Sequence, residues 1–171
     1  MKRAIFINGT YGVGKSTLAN TISELLNGQV ECVDPDLYYN NLVKKDMAFL
    51  FFGWPIQKNE MFLRGFREII LDKLQDKEII IPIAITTEIC KKELLDYISK
   101  KTEIIHMVLE ANEESLFQRI KSDVNRNKDF SIENIKNNNV YIKKNFEKVV
   151  HINTTNESIV KIANLIIEEY L

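Results

Sequence analysis

Residues Ala4 to Leu26 read A-I-F-I-N-G-T-Y-G-V-G-K-S-T-L-A-N-T-I-S-E-L-L, and three pieces follow one another in fixed order. Ala4, Ile5, Phe6 and Ile7 form a short apolar run, the pattern of a strand buried on both faces. Gly9-Thr10-Tyr11-Gly12-Val13-Gly14-Lys15-Ser16 then fits G-x-x-x-x-G-K-[ST] position for position. From Lys15 onward, Leu18, Ile22, Leu25 and Leu26 recur at helical spacing, with Gly28 placed to stop the helix. A strand, a glycine-rich turn and an amphipathic helix in that order make this a P-loop.

The spacing has a chemical reason. Glycines let the chain curl so that successive backbone N–H groups point into one concavity, which suits phosphate oxygens. The helix that starts there adds unpaired N–H groups and the positive end of its dipole. Gly9, Thr10, Tyr11, Gly12, Val13, Gly14, Lys15, Ser16 and Thr17 are therefore the candidate cradle for ATP. Lys15 reaches the β- and γ-phosphates in this pattern, and the Ser16 hydroxyl holds Mg²⁺.

Outward from the P-loop, Val30 to Val33 reads as a second strand ending at Asp34-Pro35-Asp36. Carboxylates at a strand's C-terminal end fall where open α/β sheets bind their ligands. Asp34 is the candidate base or metal-associated carboxylate; Asp36 is its reserve at the acceptor site, or the cap of the next helix. Met47-Ala48-Phe49-Leu50-Phe51-Phe52-Gly53-Trp54-Pro55 is far too short to span a bilayer. It reads as a helix end packed on the core, with Trp54 a candidate wall of an acceptor pocket.

Met61 to Leu74 has the period of an amphipathic helix, and Arg64 and Arg67 lie three apart on it. Two arginines near a phosphoryl-transfer site suit an anionic acceptor, and solvated surface arginines are the plain alternative. Ile79 to Ile85 reads as a buried strand in which Pro82 costs a ladder bond. Thr86 and Thr87 stand where a P-loop ATPase carries its Walker B carboxylate. Helices over 87–99, 112–125 and 157–170 and strands over 103–109 and 149–152 complete the pattern. His106 and His151 fall in strand patterns and read as structural.

Five strands alternating with helices predict an α/β, three-layer P-loop NTPase fold, a parallel sheet with helices on both faces. Residues 1–171 form one kinase-like domain in this reading, with a mobile lid at about 124–145, whose 124–129 portion is polar and basic. A net charge of -1 offers no basic field, which argues against a nucleic-acid polymer as partner. No run is long enough for a signal peptide or a transmembrane segment, and two cysteines are too few for a disulfide framework. A cytoplasmic monomer or homodimer is expected.

The P-loop, the Asp34-Pro35 carboxylates and the late arginine-bearing segment resemble the small P-loop kinases of the nucleoside-monophosphate-kinase-like group. Within it, the chain is most similar to the tunicamycin-resistance ATP-binding protein family. Ile7-Asn8-Gly9, Arg64-Gly65-Phe66, Ile81-Pro82, Glu114-Ser115-Leu116 through Arg119, and Thr154-Thr155-Asn156 carry that likeness. Gly65-Phe66-Arg67 and the run from Glu114 to Arg126 also resemble acceptor-arginine and lid segments of shikimate kinases. The chain departs from those at Ile83-Ala84-Ile85-Thr86-Thr87, where a glycine-rich acceptor loop would stand.

The resemblance implies Arg119 against the adenine, Thr154 among the nucleotide contacts, and Arg126 reaching the phosphates from the lid. It further implies an ATP- and Mg²⁺-dependent kinase for a small-molecule acceptor, such as a nucleoside-type antibiotic or a metabolite. A nucleoside monophosphate kinase is one alternative. A nucleotide-binding resistance protein that sequesters without transferring phosphate is the other.

Overall fold

In the computed structural model, which describes residues 2–46, 55–123 and 128–171, β1 (Ala4–Asn8) is buried along its whole length. It lies at the centre of a five-stranded parallel sheet of order β2-β3-β1-β4-β5. The other strands are β2 (Val30–Cys32), β3 (Glu78–Pro82), β4 (Ile104–Glu110) and β5 (Val150–Asn153). Register on β1 places Phe6 beside Ile81 on one side and His106 on the other.

Because side chains alternate across a strand, β1 feeds two separate cores. Ala4 and Phe6 join Ile79, Ile81 and Val108 in one, and Ile5 and Ile7 join Ile80, Met107 and Leu109 in the other. The first core is closed by α3 (Glu60–Asp76) and α4, which opens at Glu88–Cys90 and continues as a wider π-turn over Lys91–Asp96. The second is closed by α1 (Lys15–Leu25), α5 (Glu113–Ser122) and α7 (Ile159–Tyr170). Helix, sheet, helix is the three-layer arrangement that the alternating pattern predicts.

Two further helices border the C-terminal edge of the sheet. α2 (Pro35–Lys45) follows β2, and α6 (Lys128–Asn145) contributes Ile135 to one core and Ile142 to the other. The apolar stretch 47–54, with Trp54, and the segment 124–127, with Arg126, lie outside the described residues.

Local endings differ instructively from the sequence reading. α1 ends at Leu25, and Asn27, ahead of the expected Gly28, turns the chain away: Asn27 takes the left-handed conformation (φ 51°), its N–H bonds Glu24 O, and Gly28 N–H reaches back to Ser23 O. That is the six-to-one and five-to-two bonding of a Schellman ending, in which asparagine can replace glycine. Pro82 costs β3 nothing on the β1 side. Ile79 and Ile83 donate to β1 (Arg3 O and Ile7 O), so by alternation Pro82 nitrogen faces β2, whose pairing already ended at Cys32.

Where β1 turns away into the P-loop, one side chain replaces its backbone. Asn8 is fully buried, and its Oδ1 accepts from Gly9 N (2.7 Å) and from Ile85 N (2.9 Å). Its Nδ2 lies 3.4 Å from His106 Nε2, which fixes that nitrogen as the acceptor. Burial pulls the His106 pKa down to about 4, with the His151 charge adding to it, so the ring is neutral in this role.

Asn8→Ala would leave two buried N–H groups without their shared acceptor. A loss of roughly 2–4 kcal/mol is expected, since each orphaned donor costs on the order of 1–3 kcal/mol. Urea unfolding monitored by circular dichroism measures it, and an unchanged midpoint would refute the clamp.

Candidate active site

The P-loop bends because its glycines permit it. Gly9 sits at φ +146°, and a Cβ there would come within 2.7 Å of Leu109 O; Gly12 sits at φ +76°, where a Cβ would meet Ile120 at 2.9 Å. β4 and α5 therefore press the loop from behind. α1 begins at Lys15 with no acidic residue in its first turn, so its positive end is left for an anion.

A cleft of about 330 Å³ opens in front of this loop. Gly12, Gly14, Lys15, Ser16 and Thr17 line its floor. Pro35, Asp36, Tyr39 and Asn40 of α2 form one wall, Pro82 to Ala84 the base beyond β3, and Phe130 and Ser131 of α6 the roof. Lys15 Nζ lies 2.9 Å from Thr10 O, which folds the lysine across the mouth of the loop. Thr10 is itself buried and receives Asn138 Nδ2 on its hydroxyl at 3.4 Å, while Tyr11 meets Phe130 edge-on at 5.8 Å.

The two carboxylates after β2 have separate positions. Asp34 is the N-cap of α2, its Oδ1 accepting Asp36 N at 2.8 Å, with Pro35 at the first helical position. Asp36, not Asp34, lines the cleft. The cap expected of Asp36 thus belongs to Asp34, because Pro35 can only enter a helix at its first turn and that puts the cap one residue earlier.

Arg64 and Arg67 do not line the cleft. Arg67 Nη1 bonds Glu93 Oε2 at 2.5 Å, and its guanidinium lies 3.9 Å over the Tyr97 ring. Arg64 pairs with Glu60 and reaches the same Glu93 oxygen at 3.4 Å. Glu93 is only 5% exposed, and a buried carboxylate holds its cations firmly because losing them would strand its charge. Their spacing correctly put both arginines on one face, but the partner on α4 was hidden in an ordinary Lys-Lys-Glu-Leu-Leu stretch.

Arg119 and Thr154, expected at the nucleotide, bond to each other, and neither lines the cleft. Arg119 Nη1 donates to Thr154 Oγ1 (3.0 Å) and Nη2 to Thr154 O (2.7 Å). The same hydroxyl approaches Val13 O at 3.3 Å and Glu110 O at 3.1 Å, so the end of β5 is fastened to the P-loop. Sequence reasoning missed Asn8, Gln57 and Asn138 at this site. Only Asn8 left a signal, as a polar residue closing an apolar strand just before the loop.

The donor set fits a nucleotide with Mg²⁺. A hydroxyl (Ser16) and a carboxylate (Asp36) share the cleft with a lysine, and Mg²⁺ is commonly held by one or two such groups together with phosphate oxygens. Among the described residues no cluster of three His, Cys, Asp or Glu could hold a metal by itself.

A family model described as an AAA domain matches residues 5–143. The shikimate kinase of Histophilus somni (strain 2336) is 30% identical over 125 residues, which cover 73% of this chain and 67% of that protein. Among solved structures, the tunicamycin resistance protein of Deinococcus radiodurans superimposes with a TM-score of 0.73 at 20% identity, over 99% of this chain and 95% of that one. The shikimate kinase of Bacteroides thetaiotaomicron gives a TM-score of 0.65 at 16% identity, over 97% and 96%. These two structures share the fold seen here, and with the family model spanning residues 5–143 and a 30% identical shikimate kinase among its relatives, the chain belongs to the AAA-domain family, among its P-loop kinases.

Proposed function

We propose that this protein is an ATP-dependent phosphotransferase acting on the hydroxyl of a small-molecule acceptor. The observation that carries the reading is that Lys15, Ser16 and Asp36 line a single cleft. The P-loop amides and Lys15 would hold the β- and γ-phosphates, Ser16 would hold the metal, and Mg²⁺ would supply charge neutralisation at the transferring group. Arg126 keeps the phosphate-facing role that the resemblance implies. Asp36 would accept the acceptor's proton as its oxygen bonds the γ-phosphorus and the bond to the β–γ bridging oxygen breaks, releasing ADP. Asp34 would act through the cap, fixing where Asp36 stands.

Two other readings have less support. A nucleoside monophosphate acceptor would want guanidinium groups for its phosphate, whereas Arg64 and Arg67 are taken by Glu93. Sequestration without transfer would not call for a carboxylate in the same cleft as Lys15 and Ser16. A nucleoside-type antibiotic or a hydroxylated metabolite both remain within the proposed acceptor class. An ADP-release screen over nucleosides, sugars, polyols and hydroxy acids tests the proposal directly; ATP binding with no acceptor-dependent ADP release would refute it.

Lys15→Ala should fold normally and lose the thermal stabilisation that ATP gives the wild type. Retention of that shift would mean the P-loop does not hold the phosphates. Asp36→Asn should cut kcat by about a hundredfold or more while ATP still binds, as expected of a general base. Asp34→Asn should cost little activity, since asparagine caps a helix as well as aspartate. The reverse ranking in the ADP-release assay would exchange the two assignments.

A further inference from the structure

Beside the cleft lies a second space of about 160 Å³, and Tyr11, Gln57 and Phe130 line both. We propose that it is the acceptor's subsite and that it takes an uncharged, hydroxyl-rich ring or chain, such as a sugar or polyol. The proposal rests on the phosphotransferase reading above.

Gln57 is the first reason. It is only 6% exposed, its backbone carbonyl is held by the Thr87 hydroxyl, and its side-chain carboxamide forms no hydrogen bond among the described residues while lining the shared space. No buried side-chain polar atom among the described residues lacks a partner, so the Gln57 carboxamide opens onto the shared space and offers a ligand there both a donor and an acceptor.

The opposite wall is the second. Asn134, Asn137 and Asn138 occupy one face of α6 at the i, i+3, i+4 spacing. Asn134 spends its Nδ2 on Phe130 O (2.8 Å) and Asn138 spends its Nδ2 on Thr10 Oγ1 (3.4 Å), which leaves their carbonyl oxygens to accept. Carbonyl oxygens want hydroxyl donors and repel carboxylates and phosphates. Thr86 adds a hydroxyl.

Charge is the third. Among the described residues lining this space the cation is Lys58, which lies exposed at its rim, while Arg64 and Arg67 are bound to Glu93. The volume falls below the ~300 Å³ at which drug-sized sites begin, so it holds one small ring and the reacting hydroxyl passes Gln57 into the cleft.

The test is a coupled ADP-release assay on matched acceptors, uncharged sugars and polyols against sugar acids and sugar phosphates, with Gln57→Leu alongside. Turnover should favour the uncharged set. Gln57→Leu should raise the acceptor KM by about tenfold, the size of one hydrogen bond, with the ATP-induced thermal shift kept and no loss of Tm. Asn137→Ala, at an exposed position, should raise KM in the same direction and serves if Gln57→Leu fails to fold. Preference for anionic acceptors, or an unchanged KM in the variants, overturns the subsite proposal and leaves the phosphotransferase reading standing. Turnover of neither set, with ATP still bound, removes both.

Discussion

Asn8 Oδ1 holds two backbone N–H groups from the segments that follow β1 and β3, and the nucleotide cleft depends on that double contact. A P-loop must leave the sheet sharply to present its amides, and departing means that the neighbouring strand loses its partner. Here the chain beyond β3 stays alongside β1 with Ile83 N bonding Ile7 O, and Ile85 N then finds a side chain where β1 no longer runs. The neutral His106 supports the other end of the same amide. Gly9 can therefore adopt its strained φ without leaving any buried donor unpaired nearby. The cleft is open because its rear is fully satisfied.

The acidic and basic residues divide into those that shape the cleft and those that face it. Asp34 caps and Asp36 faces inward; Glu93 gathers two arginines that a reading by spacing alone would send to a substrate. Burial decides the second case. A carboxylate at 5% exposure has few alternatives to its ion pairs, and dislodging the half-buried Arg67 would cost more than an exposed pair is worth, whereas Arg64, 56% exposed, adds a weaker contact. Besides Lys15, Asp36 and Asp123, the polar groups that line the cleft are then amides and hydroxyls.

The fold was legible from β1 to α1 because periodicity and the glycine pattern are local. Strand ends, the three-layer class and most helices followed within a few residues. The endings that differed, at Asn27 and Pro82, turn on left-handed asparagine and on which way a nitrogen faces, neither of which a run of letters displays. The site was legible where chemistry is contiguous, in Gly9 to Thr17. It was illegible where it depends on residues meeting across the chain, as Arg67 with Glu93 or Asn138 with Thr10. Gln57 is the extreme case, because its burial, not its type, gives it meaning.

α6 touches the P-loop at two points, Phe130 on Tyr11 and Asn138 on Thr10, and then runs on to place Ile142 in the far core. From Phe130 to Ile142 is about 18 Å at 1.5 Å per residue, so one rod joins the roof of the cleft to the interior of the molecule. Its local opening is thereby tied to the stability of the whole. By that anchoring, the described part of α6 is expected to exchange its amide hydrogens with the core. Selection for a tighter or looser cleft can then act through packing at Ile142, at a distance from any bound ligand.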